Sequence, residues 1–133
     1  MCRKPTQGAL GRRLKMIVPV LVLLCLSACA AMSKDEDQAK KIDYHYRLAN
    51  TSFYEHNIPG ALRELTLCLK LDPKHADAHH LMGMIFFGRR EYSESENHFR
   101  TALDLRPAFH EARNNLGAVL LAEKRWRDAV EVL

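Results

Sequence analysis

Three regimes of hydrophobic patterning follow one another along this chain. Residues 1–15 are polar and basic, residues 16–26 (MIVPVLVLLCL) are an apolar run, and from Ile42 to Leu133 apolar and small residues recur among charged ones. The stretch from Met32 to Lys41 is polar, lacks apolar periodicity and reads as a flexible tether. An apolar residue every three or four positions puts a stripe on one face of a helix. The segment from Ile42 onward is therefore expected to be all-α.

The stripe itself repeats. Ala49, Gly83 and Gly117 are spaced 34 residues apart, as are Leu48, Met82 and Leu116; Pro73 and Pro107 keep the same spacing. Ala61, Ser95 and Ala129 give another small-residue column, Cys68 and Ala102 a further one, and Leu65, Phe99 and Leu133 a large apolar one. This register resembles the tetratricopeptide repeat, whose unit is a pair of antiparallel helices. Small residues let the two backbones approach, large ones fill the gaps, and a proline ends the second helix because it lacks an N–H and clashes with the preceding turn. One pair cannot bury its apolar face alone, so neighbours must stack. The expected architecture is an α-solenoid with repeats at 42–75, 76–109 and 110–133. The third is incomplete, as if the sequence were a piece of a longer product. The first helix is expected over Ile42 to Tyr54, and Asn57 is placed to cap the second, with Pro59 and Gly60 in its first turn.

The N-terminal regimes read as an export signal over residues 1–28: a basic region, an apolar core too short to span a bilayer, and a small-residue exit. Arg12 and Arg13 are ordinary basic residues of such a signal. Leu26-Ser27-Ala28-Cys29 resembles the bacterial lipobox, which implies lipidation of Cys29 and cleavage before it. Residues 29–41 would then be a lipidated cysteine and its tether. Two or three acyl chains anchor durably where one does not. Ala31, two residues after Cys29, implies by the same resemblance an outer-membrane, periplasm-facing location.

Charge changes the picture once the signal is set aside. Of the 20 Lys and Arg, five (Arg3, Lys4, Arg12, Arg13, Lys15) precede residue 29 and no Asp or Glu does, so 15 basic residues face all 16 acidic ones in the remainder. A near-neutral domain carries no broad positive field for nucleic acid. Of the 4 cysteines only Cys68 lies in the repeats, where it fills a small-residue column as an inert thiol. No phosphate loop, nucleophile elbow or metalloprotease helix motif occurs. His75, His79, His80 and Asp77 lie close in sequence, but no further ligand completes a site, and His79 fits a packing column. No enzyme activity, cofactor, metal or small-molecule substrate is expected.

By resemblance to other tetratricopeptide arrays, the first helices line a concave face. The positions implied to face it include Tyr46, Asn50, Phe53, His80, Met84, Phe87, Asn114 and Leu121, with Asp43, Asp77 and Glu111 forming an acidic rim. Tyr46 and His80 stand where a carboxylate-clamping member would carry lysine, so an apolar partner segment suits this groove better. Lipobox, tether and repeats, with Asn114-Asn115-Leu116-Gly117 and Glu123-Lys124-Arg125-Trp126, together resemble the pilotin lipoproteins of type IV pilus biogenesis. The resemblance implies that secretin subunits are the partner, that the lipid holds the protein to the membrane, and that the function is secretin localisation and assembly in motility. The alternative is a general envelope adaptor that recruits peptidoglycan-remodelling enzymes.

Overall fold

The computed structural model describes residues 35–133. The export signal and Cys29 lie outside the described residues. The chain divides into two compact units, Met1–Ala39 and Lys40–Leu133; of the first, residues 35–39 are described, and they are helical. The described residues form six helices and no strand. They are α1 (35–54), α2 (Ile58–Leu71), α3 (Ala76–Gly88), α4 (Tyr92–Leu105), α5 (His110–Ala122) and α6 (Trp126–Val132). None of them is long and apolar enough to cross a membrane.

The tether expected over 32–41 needs correction, because residues 35–41 already belong to α1. Apolar periodicity is absent there, and charge does the local work. Lys40 and Lys41 follow Glu36 and Asp37 at the four-residue spacing that joins side chains on one helix face.

The other boundaries follow the expected chemistry. Asn57 caps α2, its side-chain oxygen accepting from the Gly60 N–H at 3.1 Å, with proline in the first turn. His75 caps α3 in the same manner through Nδ1, which accepts from the Ala78 N–H at 3.1 Å. Asp72 and Arg106, each before a proline, are extended and end α2 and α4.

Within each repeat the two helices are joined by a turn held in the left-handed region. His56, Arg90 and Lys124, one per repeat, have φ of 60°, 62° and 62°. After each, the next N–H reaches back to close the helix end: Asn57 to the Ser52 carbonyl, Glu91 to Phe86, Arg125 to Leu120. None of the three is glycine, so each carries the side-chain strain of that conformation, about 1–2 kcal/mol. The greater entropy that glycine loses on folding, about 0.5–1 kcal/mol, offsets part of the gain from replacing them. Arg90→Gly is therefore expected to stabilise the protein by about 0.5–1 kcal/mol, measured as a raised urea midpoint at unchanged slope.

Among the described residues the core consists of two buried clusters. Ala49, Ala61, Leu65, Cys68, Ala78, Leu81 and Ile85 form one, and Phe99, Ala102, Phe109, Ala112, Leu116, Val119, Leu120 and Ala129 the other. Met84 packs against both. The small-residue columns are all buried, from Ala49, Gly83 and Gly117 to Ala61, Ser95 and Ala129. Ser95 donates its hydroxyl to the Gly83 carbonyl at 2.8 Å, so the crossing of α3 and α4 is both close and hydrogen-bonded.

The two ends differ. Ala78, Leu81 and Ile85 on α3 are buried, as are Ala112 and Val119 on α5; their counterparts on α1, Tyr44, Arg47 and Thr51, are exposed. That outward face of α1 is mostly polar. At the other end Val130 is 79% exposed and Leu133 66%, whereas the column partners of Leu133, Leu65 and Phe99, are 0% and 1% exposed. Arg125 fastens the start of α6, pairing with Glu96 of α4 at 2.5 Å and with Glu123 and Asp128.

Candidate partner-binding groove

The first helices of the pairs, α1, α3 and α5, supply all eight groove positions. Contacts between successive repeats fix their order. The Tyr46 ring on α1 lies 4.9 Å from that of His75, at the cap of α3. On α3, His80 Nε2 meets the Asn115 side-chain nitrogen of α5 at 2.9 Å. The His80 ring sits 4.7 Å from Phe109 and 5.6 Å from Phe99.

The eight residues differ in depth. Phe87, at 37% exposure, and Leu121, at 43%, are the open apolar members, one repeat apart. Asn114 is exposed and Asn50 half-buried. Tyr46 and Phe53 pack against the first core cluster, and Met84 against both clusters. His80 is half-buried among aromatic rings. Phe87 leans on Tyr92 of α4 with ring centroids 5.9 Å apart. The groove floor is thus made of core residues seen from one side, and its apolar contacts stand toward the C-terminal ends of α3 and α5.

Electrostatics keeps the floor neutral. Burial, and then the charge of Asp77, raises the Tyr46 phenol above its ordinary pKa. Burial lowers that of His80, against the opposing pull of Asp77 and Glu111. The acidic rim is partly neutralised: Asp77 accepts from Arg106 at 2.6 Å, and Asp43 pairs with Arg47 at 3.4 Å. The Arg106 guanidinium lies 3.8 Å above the Phe109 ring centroid, a cation–π contact, while its Nε is buried without a hydrogen-bond partner. Arg106 and Asn115 shape the rim and floor, and sequence reading did not single them out as groove residues. Each acts on a partner about one repeat away, which no local motif records.

Two other features lie outside the groove. An open cleft of about 510 Å³ between α4, α5 and α6 is lined by Arg100, Leu103, Asp104, Arg113, Leu116, Glu131 and Val132. Cys68 is free and buried, and burial pushes its thiol up to about 11, which makes it a poor nucleophile. Among the described residues no group of three or more His, Cys, Asp or Glu side chains is placed to hold a metal ion.

Comparison with known proteins bears on the fold. No family model matches the chain. A curated relative, DnaJ protein P58IPK homolog B of Oryza sativa subsp. japonica, is 23% identical over 117 residues, 88% of this chain; the chain spans only 24% of that relative's length. Among solved structures, MamA superposes with a TM-score of 0.66 at 19% identity, over 68% of this chain and 53% of MamA. The TPR2B domain of yeast Sti1, solved in complex with pHsp70, gives 0.66 at 18% identity, over 70% of this chain and 74% of that one. Fold and column register agree: the described chain is an all-α solenoid of tetratricopeptide helix pairs.

Proposed function

We propose that this solenoid is a lipid-anchored, non-catalytic scaffold that binds an apolar segment of a protein partner, and that it acts as a pilotin for the type IV pilus secretin. The supporting observation is the pair Phe87 and Leu121, large apolar side chains left open at equivalent positions of α3 and α5 above a neutral aromatic floor. Interface energy concentrates in a few such anchors. The complex of the Sti1 domain with pHsp70 shows a domain of the same fold engaging a protein partner. The signal and Cys29 supply the anchoring half of the proposal, and the short likeness to pilotins supplies the partner.

The anchors to test are Phe87 and Leu121. Met84, also a groove position, bridges both core clusters, and its removal would report on stability instead. Phe87→Ser with Leu121→Ser is expected to abolish heat-resistant secretin multimers while leaving the circular dichroism and membrane fractionation of the protein unchanged. A folded, anchored double variant that still supports normal multimers would refute this groove. Normal multimers in a strain lacking the protein would refute the pilotin role.

A further inference from the structure

His79 and His80 are consecutive on α3 and bind it to two different neighbours. His79 Nδ1 faces His98 Nδ1 of α4 at 3.1 Å, and His80 Nε2 meets Asn115 of α5. The first contact has an unusual proton requirement. Two ring nitrogens in contact need one proton between them, with one donating and the other accepting.

The far side of His79 settles which ring donates when both are neutral. Its Nε2 lies 3.1 Å from the Pro73 carbonyl oxygen. A carbonyl only accepts, so Nε2 carries the hydrogen and Nδ1 of a neutral His79 is bare. The His98 Nδ1–H then donates to it. One added proton leaves the contact intact: His79 becomes the donor, and His98 accepts after shifting its own hydrogen to Nε2. A second added proton puts N–H against N–H and cation against cation, and the contact is lost.

We propose that the His79–His98 contact is a proton-operated latch between the two helices of the second repeat, closed while the pair is neutral or singly protonated and open when both rings are charged. The surroundings favour the closed state. The His98 ring stacks on Phe86 of α3, with centroids 5.4 Å apart and planes 8° from parallel, which places an apolar wall on one face. The Pro73 carbonyl lies on the far side of His79, and among the described residues no carboxylate lies within ion-pair distance of either ring. Burial, and then the charge of His79, lowers the His98 pKa. His80 beside it is lowered by burial too, but Asp77 and Glu111 pull it upward and Arg106 pushes it down, so it adds a second, partly compensated demand for neutrality.

The sign follows from linkage. A histidine whose folded pKa is lowered binds protons more readily when unfolded. Its contribution is present above about pH 6.5, the ordinary histidine value, and is lost as pH falls from there through the folded pKa. Glu64 titrates with a lowered carboxylate pKa, in a more acidic range. Between pH 7.5 and 5.0 the histidines therefore dominate. Because α3 also carries Met84 and Phe87, acid would loosen the helix that forms the middle of the groove.

The test is the melting temperature of the full-length chain across this pH range, for wild type and for His98→Gln, which cannot take up a proton. The wild type is expected to lose about 4–8 °C more than His98→Gln, the shift that corresponds to about 1 kcal/mol in a domain of this size. Parallel losses in the two proteins would overturn the latch. Should His98→Gln not fold, nitrogen-15 imidazole spectra of the wild type decide. Two coupled steps, with the second proton bound below the ordinary histidine range, uphold it, and independent titration of both rings at ordinary values overturns it.

Discussion

Phe99→Ala is expected to destabilise the protein by about 3–5 kcal/mol, the cost typical of removing a buried Phe ring. Phe99 is 1% exposed and belongs to the second core cluster. Its ring also lies against Gly83 of α3 and near His80. It therefore fills the space inside the second pair and reaches the junction with the third. A domain held together by about 5–15 kcal/mol in total loses a large share of its stability when such a residue is cut. Urea unfolding of the full-length chain measures the loss. A change under about 1 kcal/mol would mean that the neighbouring helices collapse into the space, which a close-packed interior resists.

Gly83→Leu is the converse experiment and is expected to cost about 3 kcal/mol, the upper part of the usual overpacking range. A β-carbon on Gly83 would stand 2.7 Å from two atoms of the Phe99 ring, closer than real side chains come. The ring is enclosed and cannot swing away as a surface side chain would. Gly117 offers a contrast, because the atoms nearest its added β-carbon belong to the side chain of Leu133, which is largely exposed. Gly117→Leu should therefore cost less. Thermal and urea midpoints of the two variants, measured side by side, check the ordering; equal losses would show that helix crossing distance does not set the cost.

What the sequence disclosed was whatever is enforced locally and repeated. The columns of Ala49, Gly83 and Gly117, the proline stops and the Asn57 cap each have a reason within a turn or two of chain, and the structure has all of them. The helical state of residues 35–41 was not legible from apolar periodicity because charge spacing supports that stretch. The depth of Met84 and Phe53 was not legible either. Facing a groove and packing against a core are adjacent directions on one helix, and the stacking angle between repeats decides between them. The His79–His98 contact was hidden for another reason. The same two positions hold His45 and Glu64 in the first repeat, in contact at 2.8 Å, and Arg113 and Val132 in the third. A column that changes chemistry in every repeat leaves no periodic trace.

The flanked middle of the array concentrates its coupling. In a stack where each pair touches only its neighbours, free energy is a sum of local and junction terms, as in a one-dimensional lattice. Met84 on α3 packs against both core clusters, and the Phe99 ring on α4 reaches Gly83 and His80. Opening α3 therefore costs both of its junctions at once. Phe87 stands on that helix, and a ligand seated across Phe87 and Leu121 bridges the junction between the second and third repeats and, by mass action, strengthens it.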